Sequence, residues 1–244
     1  MIRNTSCVLA ALITAAMLTG CSSDPQQEAG EHLRKGNEQL AQKKYPEAII
    51  EYRRAVQADP RLGRARLQLA LAYASTGDGA NALREYARAA ELLPEDEEAQ
   101  AQAGSYMLIA GQFQDAEGLA DRMIQRDPGS VQGHILRANA LAGLKDVSGA
   151  VAAFEKALSL DPTRAATYAE LGSVQMAAGE RDAAEKAFRK AIEVDPKAAH
   201  AHAALANFLW MTGDLRQGEE EMRAALALDP NLLIANRAMA MYLI

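Results

Sequence analysis

Proline recurs at Pro60, Pro94, Pro128, Pro162, Pro196 and Pro230, at a constant interval of 34 residues. Five of the six follow aspartate, at Asp59, Asp127, Asp161, Asp195 and Asp229; the exception is Leu93-Pro94. A fixed period of roughly 20–50 residues means stacked copies of one supersecondary unit. Aspartate suits a helix N-cap and proline the first helical position. The residue before a proline is steered out of the helix, so each Asp-Pro is expected to stop one helix and open the next. Mid-unit, Gly77, Gly111, Gly179 and Gly213 recur at the same period or its double, where glycine ends a helix in a left-handed turn. Each unit is then two helices and the chain is all-α. Abundant alanine and only 5% aromatics favour helix in the same way.

Small residues recur at one position of the second helix: Ala48, Ala82, Ala116, Ala150 and Ala184. Four and seven residues later come the pairs Tyr52/Ala55, Tyr86/Ala89, Phe154/Ala157 and Phe188/Ala191, on the same helix face. Glu185–Arg189 and Glu219–Arg223 are spaced to support the exposed faces. The pattern resembles the tetratricopeptide repeat (TPR): Leu69, Tyr73, Ala82, Tyr86, Ala89 and Pro94 in repeat two, and Tyr168, Leu171-Gly172, Ala184, Phe188, Ala191 and Pro196 in repeat five. The resemblance covers residues 29–244 and implies a right-handed α-solenoid of antiparallel helix pairs. Six full repeats span 29–62, 63–96, 97–130, 131–164, 165–198 and 199–232, and a partial seventh spans 233–244. Repeats three (Ala120, Met123) and six (Gly218, Met222) depart most from the pattern and are expected to pack more loosely.

The N-terminus has a different composition. Arg3 precedes an apolar run from Cys7 to Leu18, shorter than the ~20 residues a spanning helix needs. A charged start and a short apolar run read as a secretory signal. The following Leu18-Thr19-Gly20-Cys21 resembles a bacterial lipobox. The resemblance implies a signal peptide over 1–20, an acylated Cys21, and a polar tether over 21–28. Ser22 after the cysteine implies the outer membrane, facing the periplasm. Each buried acyl CH₂ contributes ~0.8 kcal/mol to such anchoring.

By the TPR resemblance, first helices line a concave groove through their second, fifth, ninth, twelfth and thirteenth positions. The ninth positions are Asn37, Leu71, Ser105, Asn139, Ser173, Asn207 and Met241; the fifth are Leu33, Leu67, Ala101, Ile135, Ala169, Ala203 and Arg237. The twelfth and thirteenth add Leu108, Ile109, Met176, Trp210 and Met211. Asn37, Asn139 and Asn207 form a spaced row of amides able to donate to and accept from a peptide backbone, or else merely tolerate a half-exposed face. Trp210 with Met211 is either an anchor pocket or packing within the stack. The lysine that clamps a terminal carboxylate in chaperone-tail readers is missing from the fifth positions.

The histidines are His32, His134, His200 and His202; two residues apart on a helix, the last pair diverge and make a poor metal site. The acidic run Glu95–Glu98 suits a helix N-terminus. The expectation is a binding protein with no cofactor. The formal charge of −6 also argues against a nucleic-acid partner. Two readings stand. One is an adaptor of an envelope assembly, secretion or exopolysaccharide system. The lipobox and the phrase Tyr45-Pro46-Glu47-Ala48-Ile49-Ile50-Glu51-Tyr52 are similar to TPR lipoproteins of exosortase (PEP-CTERM) systems. The other is a chaperone-like carrier of extended segments, with a resemblance to lipid-anchored TPR proteins that help a pilus secretin oligomerise. The segment Leu232–Ile244 holds only Asn236 and Arg237 as polar residues. The seventh repeat is therefore expected to expose apolar surface, covered either by further chain or by a second copy, end to end.

Overall fold

The computed structural model describes residues 24–242, and every regular element among them is an α-helix. Contacts divide the chain into two bodies, before and after Ala99. The N-terminal body holds α1 (Pro25–Ala41), α2 (Tyr45–Ala58), α3 (Gly63–Ser75) and α4 (Gly79–Leu92). α5 (Glu97–Ile109) starts at its end. The C-terminal body holds α6 (Phe113–Arg126), α7 (Val131–Gly143), α8 (Val147–Leu160), α9 (Ala165–Ala177), α10 (Arg181–Val194), α11 (Ala199–Thr212), α12 (Leu215–Leu228) and α13 (Leu233–Tyr242). Consecutive helices pair, α1 with α2 and α3 with α4 in the first body, and α7 with α8, α9 with α10 and α11 with α12 in the second. Successive first helices also touch, α1 with α3, α9 with α11 and α11 with α13. The architecture is an all-α solenoid of six full repeats and a partial seventh. The signal and lipobox, with Cys21, lie outside the described residues, as do Leu243 and Ile244. α1 starts at Pro25, capped by the Asp24 carboxylate on Gln26 N–H, so residues 25–28 of the expected tether are helical.

The turn between the two helices of a repeat is built as expected. Gly77, Gly111, Gly179 and Gly213 adopt φ of +79°, +72°, +82° and +97°. In repeats one and four the same position is Lys43 (φ 58°) and Lys145 (φ 69°), left-handed despite their side chains. The residue after each closes the helix with a bond back to the carbonyl five residues earlier, as in Asp78 N–H to Tyr73 O (2.9 Å) and Asp214 N–H to Leu209 O (2.9 Å). That same residue opens the next helix. Asp78, Asp146 and Asp214 accept from the N–H groups of Asn81, Gly149 and Gln217.

The turn between repeats corrects the sequence expectation. The Asp of each Asp-Pro does not cap the following helix, and the proline is not its first residue. α3 starts at Gly63 and α9 at Ala165, three residues after Pro60 and Pro162. The aspartate instead terminates the helix before it in an extended conformation, φ −132° and ψ 96° at Asp59. Its carboxylate accepts from the N–H two residues on: Asp59 from Arg61, Asp127 from Gly129, Asp161 from Thr163, Asp195 from Lys197 and Asp229 from Asn231, all at 2.8–3.0 Å. Proline supplies the helix stop, and aspartate nucleates the turn through its own backbone.

In repeats one, two, four and five a buried aromatic residue of the second helix packs the pair. In the first body Tyr52 and Tyr86 are 0% and 2% exposed. A Cβ on Gly36 would stand 2.4 Å from the Tyr52 ring, so the close approach of α1 to α2 needs glycine. Burial pushes the Tyr52 hydroxyl up to about 12. In the second body Phe154 and Phe188 are buried, and the Phe188 and Phe208 rings stack tilted at 5.7 Å. The residues that depart from the pattern in repeats three and six are buried nonetheless. Leu119, Ala120 and Met123 are buried in one, and Met222 is fully buried in the other. Their departures from the pattern are compensated by neighbours, as Trp210 compensates for Gly218. The i,i+4 pairs Glu185–Arg189 and Glu219–Arg223 both form.

Candidate functional site

The first helices carry the residues singled out from the repeat positions, and the structure separates them into three groups. Leu67 (1% exposed), Ile135 (8%) and Ala203 (2%) belong to the core, so the fifth position is not a groove position in repeats two, four and six. Ile135 clusters with Phe154 of α8 and Leu171 of α9, and Ala203 with Met222 of α12 and Ala235 of α13. Leu33, Leu71, Ala101, Leu108, Ala169 and Met176 are half-buried; Leu33 packs on the Tyr52 cluster and Met176 on the Phe188 cluster. Ile109 and Met211 stand in solvent, and Ser105 and Ser173 are exposed.

The three asparagines divide by what already occupies them. Asn37 accepts from the Tyr52 hydroxyl at 2.9 Å. Asn139 donates to the Glu170 carboxylate at 3.2 Å, bridging the first helices of repeats four and five. Burial holds that carboxyl above the usual range, while the Asn139 bond and Arg164 pull it the other way. Asn207 makes no side-chain hydrogen bond among the described residues, and it borders a cavity of about 650 Å³ between α11 and α13. The other walls are Trp210, Leu233, Ile234, Arg237, Ala238 and Met241. Thus Asn207, Trp210, Arg237 and Met241, chosen by repeat position, meet at one place, and Met211 does not join them. Leu233, Ile234 and Ala238 were not among the chosen residues. Ile234 occupies a second position, so the repeat rule itself contained that signal. The exposed apolar surface expected of α13 therefore gathers beside α11, while Ala235 is buried against repeat six.

Trp210 is held by its own pair as well. Its indole N–H donates to the Leu215 carbonyl at 3.3 Å, and its ring lies over Gly218 of α12. One edge of Trp210 thus packs inside the repeat and another lines the cavity.

Three of the four histidines are accounted for by packing, and His200 is exposed. At the fourth position of a repeat, His202 places Nδ1 2.7 Å from Glu221 and Nε2 3.1 Å from the Pro196 carbonyl. Arg66 spans the equivalent partners, Glu85 and the Pro60 carbonyl. His32 meets Glu51 at 2.6 Å, and His134 meets the Pro128 carbonyl. The fourth position therefore ties a first helix to the preceding turn or to its partner helix. Among the described residues no three His, Cys, Asp or Glu side chains gather as a metal site. No described helix is long and apolar enough to cross a membrane.

Comparison with known proteins agrees with this architecture. The chain is 34% identical over 115 residues to a mouse FK506-binding protein-like protein, and 33% to its human counterpart, but spans only a third of the length of each and 44% of itself is matched. Its fold is similar to that of a tetratricopeptide repeat protein from Parabacteroides merdae (TM-score 0.71, 17% identity, 91% of this chain and 86% of that one). It is similar also to the type IV pilus biogenesis factor PilW (TM-score 0.68, 17% identity, 87% and 99%) and to PilF of Pseudomonas aeruginosa (TM-score 0.61, 16% identity, 89% and 99%). The tetratricopeptide repeat model matches residues 33–97, 102–165 and 170–232, and the chain belongs to the tetratricopeptide repeat family.

Proposed function

We propose that this chain is a lipid-anchored assembly factor of the bacterial envelope that holds an extended segment of a partner protein against the first helices of its C-terminal body. The observation that carries the reading is the cavity between α11 and α13, where Asn207 and Trp210 converge with α13. An amide without a partner, an indole edge and open apolar walls suit a peptide backbone with one anchoring side chain.

Among envelope assemblies, type IV pilus biogenesis has the most support. The type IV pilus biogenesis factor PilW shares the fold along 99% of its own length. The lipobox-like Leu18-Thr19-Gly20-Cys21 fits an outer-membrane anchor at Cys21 facing the periplasm. In the phrase Tyr45–Tyr52, on which the exosortase and exopolysaccharide resemblance leans, Ala48 and Tyr52 are fully buried and serve packing.

Mass spectrometry of the mature N-terminus tests the anchor, and an unmodified Cys21 refutes it. Deleting the gene and measuring assembled secretin oligomers in the membrane tests the pilus assignment. The expected result is a loss that the wild-type chain restores and a Trp210→Ala chain does not. Unchanged oligomers remove that assignment. A pull-down then separates a scaffold, with few stoichiometric partners, from a general carrier with many weak ones.

A further inference from the structure

We infer that the α11–α13 cavity selects an extended partner segment carrying an acidic side chain next to a bulky apolar one. The inference rests on the peptide-holding role proposed above and adds the chemistry of the ligand.

The walls contributed by Trp210, Leu233, Ile234, Ala238 and Met241 are apolar. Leu233, Ile234 and Met241 are 68%, 55% and 78% exposed. Clustered exposed apolar side chains of this kind mark an interaction surface. They provide the seat for a Leu, Ile, Met or Phe side chain, in a cavity within the usual size range for ligand sites.

Two polar side chains interrupt this surface, Asn207 and Arg237. Arg237 is exposed and forms no ion pair or hydrogen bond among the described residues. Arg66, Arg189 and Arg223, by contrast, each meet a glutamate of their own repeat. Neither α11 nor α13 contains an acidic residue, so neither of the two helices that wall the cavity supplies a counter-charge. The whole chain is acidic, at −6, and an unpaired guanidinium set among apolar walls is complementary to a carboxylate brought by the partner. Its planar fork binds such a group through two parallel hydrogen bonds and keeps its charge at any physiological pH.

Among the described residues the walls come from two helices and form an open trough, along which an extended chain can continue past the site. The carboxylate is therefore assigned to an Asp or Glu side chain, and Asn207 to the backbone running past it.

The test is selection of displayed random peptides on the full mature chain in detergent. One library has fixed glycine-serine spacers on both sides, and the other has a free C-terminus. The spacer-flanked library is expected to yield sequences with Asp or Glu beside a bulky apolar residue. Their affinity should fall at least tenfold with Arg237→Glu, or when the acidic residue is changed to its amide. Arg237→Lys should retain most of the binding. Selected peptides without an acidic residue, peptides indifferent to Arg237→Glu, or enrichment only in the free-C-terminus library overturn the inference. If such peptides are still weakened by Trp210→Ala or Asn207→Ala, the peptide-holding role survives. No enrichment in either library overturns both.

Discussion

Gly218→Ala is the smallest change that tests how Trp210 is seated. An added Cβ would stand 2.3 Å from the indole Cδ1 and 2.6 Å from Nε1, and the rigid ring is held there by its bond to the Leu215 carbonyl. Two effects oppose each other. Alanine in a helix interior is favoured over glycine by ~1 kcal/mol. Forcing a methyl into a filled space costs ~1–3 kcal/mol. The clash is with a ring that is fixed at both its base and its N–H, so the second effect wins and the net loss is about 1 kcal/mol. Gly118, inside α6, is the control: the only atom near its added Cβ is the Arg122 Nη1 at 3.7 Å, the tip of a flexible side chain. Gly118→Ala should stabilise by ~0.5–1 kcal/mol. Trp210 is the only tryptophan of the chain, so its fluorescence reports the seat directly. Urea unfolding followed by fluorescence and circular dichroism should show Gly218→Ala destabilised, with a shifted native emission maximum, and Gly118→Ala stabilised with an unchanged maximum. A Gly218→Ala variant as stable as Gly118→Ala, with native emission like wild type, would refute the reasoning.

Lys145→Gly should stabilise the C-terminal body by up to ~1 kcal/mol, because it relieves a left-handed lysine at φ 69°; a thermal melt showing no gain counts against strain at that turn. Burial raises the Glu170 carboxyl above its ordinary value, so its contribution is present below pH 4.5 and lost as pH rises through the folded value. Glu170→Gln should accordingly be more stable than wild type at pH 7 and match it near pH 4; a variant weaker at pH 7 contradicts the assignment. Glu51 is shifted the opposite way, held below its ordinary value chiefly by the His32 hydrogen bond. Its contribution is therefore present above pH 4.5 and disappears as pH falls through the folded value. His32→Ala should destabilise the N-terminal body at neutral pH, and the difference from wild type should shrink as pH falls below 4.5 and through the folded value, by acid titration followed with circular dichroism.

The 34-residue period made the succession of helix pairs legible, because it reports a stack directly. The left-handed glycines were legible because only the backbone demands them. Lys43 and Lys145 were not, since the turn imposes that conformation on whatever residue stands there. Asp-Pro misled because capping preference is local: the same dipeptide serves an N-cap or an Asx turn, and only the position of the next helix start distinguishes them. The candidate site was half legible. Counting positions found Asn207, Trp210, Arg237 and Met241. It also chose Leu67 and Ile135, whose burial depends on the neighbouring helix. Nor does counting reveal that Asn139 is already bonded to Glu170, 31 residues away.

The central claim is that partner protein is held where α11 and α13 meet. A photo-crosslinking residue at Met241, in the full chain in its native cells, tests it most directly, with Glu193 on α10 as the comparison site outside the cavity walls. The expected result is a discrete set of protein adducts from position 241 that Trp210→Ala removes, and none from position 193. Adducts from position 193 with none from position 241 would contradict the account.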